Sequence, residues 1–320
     1  MSSNVPEKIR LGISSCLLGN PVRYDGGHKL DRFIRDTLGL YVEFVPVCPE
    51  VECGLPTPRE AMRLVGDPET PRLVTRNTRI DHTERMLAWA RRRVVELERE
   101  NLCGFVFKKD SPSSGMQRVK VYAEQGTPAR SGSGLFAKAF MNHFPRIPVE
   151  DEGRLHDPGL RENFIERIFA LQRWRRLRDR NQTLGGLVAF HTREKLLLLA
   201  HSPAHYREMG KWVAEGKKIP AHECFDRYEQ LYLAALQLKS SLAKNVNVLQ
   251  HILGYFKKQL TGAEKQEMIS LIAAYRAGQL PLIVPVTLLN HYVRKYDQHY
   301  LAEQTFLNTH PVALGLRNHV

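Results

Sequence analysis

The chain has 320 residues, of which 42% are hydrophobic and 25% are charged, a composition typical of a soluble protein with about two domains. Its longest apolar runs, at residues 196–200 and 280–286, are far too short to span a bilayer. The opening residues, MSSNVPEK, contain no apolar segment of a secretory signal. We therefore expect a cytoplasmic protein that does not contact a membrane.

The formal net charge of +13 is unevenly distributed along the chain. Residues 1–170 hold 26 Lys and Arg against 23 Asp and Glu, whereas residues 171–320 hold 21 against 11. A strongly cationic half favours a polyanionic partner, above all a nucleic acid. Charge alone does not establish that function, because many soluble proteins are basic.

Strand-like and helix-like segments alternate through the first half of the chain. Apolar runs predict strands at residues 9–13, 41–47, 103–107 and, more weakly, 146–149. Periodic apolar positions predict helices at residues 28–38, 81–102 and 134–143. This alternation predicts an α/β domain with a Rossmann-like parallel sheet covered by helices.

From Pro158 onward the pattern is almost entirely helical. A helix begins at Pro158 and continues through an arginine-rich segment to residue 180, and a polar break at 181–186 is interpreted as a linker. Further helices are predicted near residues 187–200, 203–214, 222–238, 246–260, 263–277 and 286–300. The predicted organisation is an α/β domain over 1–157, a connecting helix and linker over 158–186, and an all-α domain over 187–320.

A loop with chemically active residues follows each of the first three strands. Because ligands bind beyond the carboxyl ends of parallel strands, Cys16, Cys48 and Ser114 are expected to be neighbours. The five cysteines lack repeated spacing, so metal binding and simple core burial are both open interpretations. Glu50 lies two residues after Cys48, which suits acid/base chemistry beside a metal or nucleophile. The alternative is a proline-rich connector with a surface glutamate.

The first of these loops also holds a compact group of candidate substrate-binding residues. Charged and phenolic side chains occur close together beside the Gly26–Gly27 pair, where the backbone turns sharply. The group comprises Arg23, Tyr24, Asp25 and Lys29. The alternative is an ordinary connection between a strand and a helix, with a buried thiol.

Taken together, the segments SSCLLGNPVRYDG, VCPEVECGLPTPRE and FKKDSPSSG strongly resemble the signature loops of TudS-type thiouracil desulfidases, over about residues 8–155. The resemblance implies a [4Fe-4S] cluster held by three thiolates, two of them at Cys16 and Cys48. It implies an open iron that takes sulfur from a thiocarbonyl base. It also implies an acid/base pair at Glu50 and Ser111. Without the resemblance, Ser111 is equally consistent with a hydroxyl that hydrogen-bonds the backbone of its own turn.

The chain departs from this family at one position. The family has its third cysteine in a Ser-Pro-Ser-Cys-Gly turn, and here Ser114 occupies that position. Thiolates are the usual ligands of iron–sulfur clusters, and a hydroxyl is a harder, less acidic ligand. Either the chain has diverged at this position, or a serine was introduced for a cysteine; the near-isosteric change favours the second. Cys53 and Cys103 are not placed to substitute for it.

The second half resembles the YbgA-like helical domain over about residues 187–317, in segments that include NVNVLQHILGYFKKQL and YLAEQTFLNTHP. Its fusion to a TudS-like domain is the arrangement of the RudS-type desulfidases, which implies 4-thiouridine in tRNA as substrate. Cationic candidates for RNA binding are Arg173, Arg175, Arg176, Lys217, Lys218, Lys257 and Lys258. Histidines at 191, 201, 205, 251, 291 and 299 suit helix packing better than a zinc site.

The sequence thus predicts a cluster-dependent desulfidase whose partners are a thiolated pyrimidine base and tRNA. Two alternatives remain open. One is a desulfidase of free thiouracil, which would not need the basic half. The other is a non-catalytic RNA-binding protein that lost its cluster with the change at Ser114.

Overall fold

The computed structural model describes residues 8–123 and 129–319, so the opening segment in which no secretory signal was found lies outside the described residues. The chain divides into two compact units, Met1–Leu160 and Arg161–Val320. Among the helices so described, none has the length and apolar character needed to cross a bilayer.

The first unit is built around a four-stranded sheet in which every pair of neighbouring strands is parallel. Its strands are β1 Ile9–Ser14, β2 Val42–Val47, β5 Gly104–Phe107 and β8 Val149–Asp151. Their order in the sheet is β2-β1-β5-β8, which confirms the predicted α/β class. Because β1 and β5 lie between other strands, their residues are buried on both faces, as their continuous apolar sequences predict.

The helices of the first unit are α1 Pro49–Glu52, α2 Thr83–Glu98 and α3 Leu135–His143. The predicted helix over residues 28–38 was only partly right. A single π-helical segment covers Phe33–Thr37, and a 3-10 turn covers Leu38–Leu40. The carboxylate of Asp31 accepts the amide of Ile34 at 3.0 Å, so regular structure begins about five residues later than the apolar pattern predicts.

An aromatic cluster forms the core between the sheet and α3. Phe105 and Phe107 stack with ring centroids 4.3 Å apart, and Phe136 and Phe140 of α3 pack edge-on or tilted against them. Gly12 on the neighbouring strand makes room, since a Cβ there would lie 2.2 Å from the Phe105 ring. This packing fixes β5 in the sheet and therefore fixes where the loop after it begins.

A second four-stranded sheet in the same unit was not predicted. Its strands are β3 Met62–Val65, β4 Arg72–Thr75, β6 Val119–Tyr122 and β7 Ala129–Gly132. Their order is β4-β3-β6-β7, with β3 and β6 parallel and the two outer pairs antiparallel. Each is four residues long, too short for its alternating pattern to be distinguished from a loop.

The second unit is all-helical within the described residues, as predicted. Its helices are α4 Pro158–Arg180, α5 Leu184–His201, α6 Pro203–Glu215, α7 Ala221–Gln237, α8 Leu242–Tyr255, α9 Gly262–Arg276, α10 Ile283–Lys295 and α11 His299–Ala302. Trp174 of α4 stacks on Tyr228 of α7 at 5.1 Å, so the predicted connecting helix is part of this core. The predicted linker is a tight turn, in which Thr183 caps α5 through the amide of Gly186.

Candidate active site

Three loops that follow adjacent parallel strands line one cavity of about 380 Å³. Cys16 lies in a 3-10 turn directly after β1, Cys48 lies between β2 and α1, and Ser114 lies in the loop after β5. All three line this cavity, together with Glu50 and Ser111. The juxtaposition expected from the strand ends is therefore present, although the chain separates Cys16 from Ser114 by almost a hundred residues.

Both cysteines are free thiols in partly or fully buried positions. Burial raises the pKa of Cys16 to about 11, an effect that the nearby Lys108 ammonium partly offsets. Burial and, next, the Glu50 carboxylate raise the pKa of Cys48 to about 12. Neither thiol is therefore activated as a free nucleophile at neutral pH, and a bound metal is the usual means of deprotonating such thiols.

The Glu50 carboxylate is at the centre of a group of polar contacts in the cavity wall. It accepts a hydrogen bond from the Ser113 hydroxyl at Oε1, and its Oε2 lies 3.5 Å from Cys48 Sγ. Arg59 lies 3.7 Å from Oε2 and is itself fixed by the carbonyl of Val22 at 3.1 Å. The carboxylate is thus held in one position rather than free on the surface.

The loop after β5, called the serine loop (residues 111–114), holds Ser111, Ser113 and Ser114 in different positions. Ser111 Oγ accepts the amides of Ser113 and Ser114 at 3.3 and 3.0 Å, which is the turn contact considered as the alternative for this residue. Ser111 Oγ also lies 3.0 Å from Ser113 Oγ, so a continuous chain runs from Ser111 through Ser113 to Glu50. Ser113 is fully buried. No sequence pattern singled out Ser113, because its contact with Glu50 depends on strand order.

The amino end of α3 holds this loop in place. The amides of Phe136 and Ala137 donate to the carbonyl of Ser113 at 2.9 and 3.1 Å. Gly134 donates to the carbonyl of Gly115 at 2.7 Å. A Cβ at Gly134 would lie 2.4 Å from the carbonyl carbon of Ser113, so only glycine permits this approach.

Of the four candidate substrate-binding residues in the first loop, Arg23, Tyr24 and Lys29 line the cavity. Asp25 does not line it among the described residues. Its carboxylate accepts the amide of Gly27 at 3.0 Å and lies 3.4 Å from Arg23 Nε. Asp25 therefore shapes the turn and orients Arg23, and its direct contact with a substrate stays a prediction.

The remaining cysteines of the first unit do not reach the cavity. Cys53 Sγ contacts the carbonyl of Glu50 at 3.2 Å and packs against the hydrophobic core. Cys103 is buried immediately before β5, at the amino end of the strand. Neither is among the described residues that line the cavity, so neither supplies the third thiolate that Ser114 lacks.

The basic residues predicted to bind RNA fall into two groups. Lys217, Lys218, Lys257 and Lys258 are exposed. Arg173 instead pairs with the buried Glu194, with Nε 2.8 Å from Oε1, and donates to the carbonyl of Thr309. Arg173 therefore has internal partners, and its assignment to RNA binding stays a prediction. Arg175 and Arg176, adjacent residues of the same helix, are half-buried.

Comparisons with known proteins match the two halves of the chain separately. Residues 11–152 match the family described as 2-thiouracil desulfurase, and residues 195–311 match a family described as a protein of unknown function, DUF1722. The uncharacterized protein YbgA of Escherichia coli (strain K12) is 33% identical over 158 residues, which are 49% of this chain and 94% of that protein.

Two further proteins resemble part of the chain. The uncharacterized protein YbbK of Bacillus subtilis (strain 168) is 31% identical over 146 residues, which are 44% of this chain and 95% of that protein. Among solved structures, the [4Fe-4S]-dependent thiouracil desulfidase TudS is 30% identical with a TM-score of 0.40, and the likeness covers 47% of this chain and 95% of that one.

Proposed function

Because the first half of the chain belongs to the 2-thiouracil desulfurase family and the second half to the family of YbgA, we propose that the protein is a desulfidase that acts on 4-thiouridine in tRNA. Membership of the first family supports sulfur removal from a thiolated pyrimidine. The choice of tRNA as the substrate is the finer part of the proposal and rests on the charge of the second half.

One observation carries the catalytic part of the proposal. The thiols of Cys16 and Cys48 and the carboxylate of Glu50 line a single cavity at the carboxyl edge of the parallel sheet. Two soft sulfur ligands beside a fixed acid/base group are a donor set for metal-assisted hydrolysis. The cavity volume of about 380 Å³ lies within the range of small-molecule sites.

The donor set fits a [4Fe-4S] cluster at two positions and less well at the third. Cys16 and Cys48 would provide thiolates, and Ser114 would provide a hydroxyl at the position where the family has cysteine. When bound, such a cluster supplies an iron that is not ligated by the protein and can accept sulfur as a Lewis acid. We infer that Ser114 weakens retention of the cluster, because a hydroxyl is a harder and less acidic ligand than a thiol.

The balanced reaction is hydrolytic, since a thiocarbonyl and water give a carbonyl and hydrogen sulfide without any change of redox state. In the proposed mechanism the Glu50 carboxylate takes a proton from the attacking water. Ser113 and Arg59 hold that carboxylate in position. Ser111, which lines the cavity, would exchange a proton with the pyrimidine ring in this mechanism.

The RNA-binding part of the proposal is supported by charge. Residues 171–320 carry an excess of ten positive charges, from 21 Lys and Arg against 11 Asp and Glu. The lysine pairs at 217–218 and 257–258 are exposed. Exposed cations on a helical unit suit contacts with RNA phosphates. Such contacts supply most of the sequence-independent affinity of a protein for a nucleic acid. A base within tRNA would have to leave its stacked position to reach the cavity.

The test is to measure iron, acid-labile sulfide and desulfidation after anaerobic purification of this chain and of the Ser114→Cys variant. Thiouracil and tRNA containing 4-thiouridine serve as parallel substrates. We expect the Ser114→Cys variant to hold about four irons, as one such cluster requires, and to release sulfide from the tRNA. We expect this chain to hold less iron and to react more slowly.

A Ser131→Cys variant, which places a thiol on an exposed position of the same unit, controls for adventitious iron binding. If the Ser114→Cys variant binds no more iron than this control, the cluster assignment is wrong and an RNA-binding protein without catalysis becomes the better interpretation. If it acts on thiouracil but not on thiolated tRNA, the tRNA part of the proposal fails and the catalytic part stands.

A further inference from the structure

The catalytic cavity adjoins a second cavity of about 250 Å³ in the same unit. Met62, Asp110 and Pro112 line both cavities, so the two share a wall. The second cavity is otherwise lined by residues of β3 and β6, the two central strands of the second sheet. A molecule that occupies the first cavity therefore has space beside it for a second, covalently linked group.

The lining of this second cavity combines cations with an aromatic ring. The Arg63 guanidinium lies over the Tyr122 ring, 5.0 Å from its centroid. Arg63 Nε is buried and has no hydrogen-bond acceptor among the described residues. Lys120 is exposed on β6, two residues before Tyr122, and also lines the cavity. In the sheet register Leu64 is paired with Val121, which places Arg63 and Lys120 beside each other on adjacent strands.

These groups match the chemistry of a nucleotide. A base stacks favourably on a guanidinium or phenol plane, and a phosphodiester needs cations such as Arg63 and Lys120. Asp110 is the acidic residue in the wall that the two cavities share, so phosphate is better placed on the side of Lys120. A single free thiolated base would leave this second site unused.

We propose that the cavity lined by Arg63, Lys120 and Tyr122 binds the nucleotide next to the thiolated one in an RNA strand. This inference rests on the proposed function, because it takes the first cavity as the site of the thiolated base. The neighbouring base stacks on the Arg63–Tyr122 pair, and the phosphate on the far side of that nucleotide, away from the wall that holds Asp110, contacts Lys120. The second cavity thereby favours a strand over a free base or mononucleotide.

The test compares two ligands by equilibrium binding to the full-length chain under anaerobic conditions. One is 4-thiouridine 5′-monophosphate, and the other is a pentaribonucleotide with a central 4-thiouridine. We expect the Arg63→Ala variant to bind the pentanucleotide roughly tenfold more weakly, in line with the loss of one stacked base. Its affinity for the mononucleotide should change by less than about twofold, because that ligand does not reach the second cavity.

Two further variants make the result specific. Lys120→Ala removes an exposed side chain that the fold does not need, and it should weaken pentanucleotide binding about three- to fivefold through loss of a phosphate contact. Arg92→Ala removes an exposed charge from α2, away from both cavities, and should leave both affinities unchanged. Circular dichroism and the mononucleotide affinity together report whether each variant is folded.

The inference is overturned if the Arg63→Ala and Lys120→Ala variants bind the pentanucleotide as the Arg92→Ala variant does. The same holds if they lose affinity for both ligands in equal measure, since the residues would then act on the first cavity. In either case the proposed function still stands if the unchanged chain binds the mononucleotide. If the unchanged chain binds neither ligand, the proposed function itself fails, and this inference fails with it.

Discussion

The hydroxyl of Ser113 directly holds the Glu50 carboxylate in position. It is fully buried, donates to Glu50 Oε1 and lies 3.0 Å from Ser111 Oγ. A proton can pass along this chain only while both serine hydroxyls and the carboxylate stay in contact. Ser113 is thus a positioning residue for both members of the proposed acid/base pair, although Ser113 itself does not line the cavity among the described residues.

We predict that Ser113→Ala, introduced into the Ser114→Cys variant, slows desulfidation. The change removes the hydrogen bond to Glu50, so kcat for desulfidation should fall by about ten- to a hundredfold, as for loss of positioned acid/base catalysis. KM should stay within about twofold, because Ser113 does not touch the substrate cavity. Steady-state kinetics with a thiolated pyrimidine measure both values.

The matched control for this prediction is Ser131→Ala, which removes an exposed serine hydroxyl from the same unit. It should leave both constants unchanged. A rise in KM for the Ser113→Ala variant with kcat unchanged would contradict the positioning role and indicate a change in the shape of the cavity. Loss of bound iron in that variant would likewise argue that Ser113 supports the loop rather than Glu50.

At the scale of elements, the contact between α3 and the serine loop determines the shape of the site. Amides at the start of the helix donate to the carbonyl of Ser113, and the helix is anchored by Phe136 and Phe140 in the aromatic core. The loop after β5 is therefore fixed from two sides, by its own strand and by a helix that follows β7. The close approach of Gly134 to Ser113 is what allows this arrangement.

We predict that Gly134→Ala destabilises the first unit by about 1–3 kcal/mol, the usual cost of forcing an extra methyl group into a packed site. A Cβ at this position would lie 2.5 Å from the carbonyl oxygen of Ser113, so the loop has to move. Differential scanning calorimetry should show a lower melting temperature, and the Ser114→Cys variant carrying this change should retain less iron.

Gly254→Ala is the matched control, since Gly254 lies in α8 and a Cβ there would meet nothing within 4 Å. This change should be neutral or stabilise the protein by up to about 1 kcal/mol, because alanine favours helix more than glycine does. If Gly134→Ala is as stable as this control, the close packing of α3 on the loop does not constrain the site.

For the molecule as a whole, the distribution of basic residues matters more than their number. Within the segment 173–180, Arg173 pairs with Glu194, and Arg178 pairs with Glu229 at 2.7 Å. Both arginines therefore form ion pairs with carboxylates of the helical unit itself. The exposed lysine pairs at 217–218 and 257–258 have greater freedom to meet phosphates, and they are the better candidates for an RNA surface.

We predict that the double change Lys257→Ala and Lys258→Ala weakens tRNA binding and reduces its dependence on salt. Each lost phosphate contact should lower the slope of log K against log salt concentration by about one. Filter binding or fluorescence anisotropy across a salt series measures this slope. The double change Arg91→Ala and Arg92→Ala removes the same charge from the first unit and should leave the slope unchanged.

An equal fall in slope for both double variants would indicate that net charge, rather than a surface of the helical unit, attracts the RNA. An unchanged slope for the lysine variant would exclude this pair from the interface. The pair at 217–218 would then be tested in the same way.

The sequence by itself determined the α/β class, the helical second unit and the three loops of the site. Apolar runs mark central parallel strands, and βαβ connectivity brings their carboxyl ends to one edge, so Cys16, Cys48 and Ser114 could be expected together. Most helices from Pro158 onward were predicted to within three residues at their ends. However, α8 begins and ends four to five residues earlier than predicted, and the predicted helix over 286–300 is divided into α10 and α11. Their apolar periodicity is local, and local patterns can be read directly from the chain.

Only the tertiary structure decided which polar groups meet and which charges are internal. Ser113 reaches Glu50 across 63 positions, Arg173 reaches Glu194 between two helices, and the second sheet joins β3 to β6. Such contacts depend on strand order and helix packing, and short sequence patterns carry no information on either. For the same reason the cavity lined by β3 and β6, where we place a neighbouring nucleotide, has no signature in the sequence.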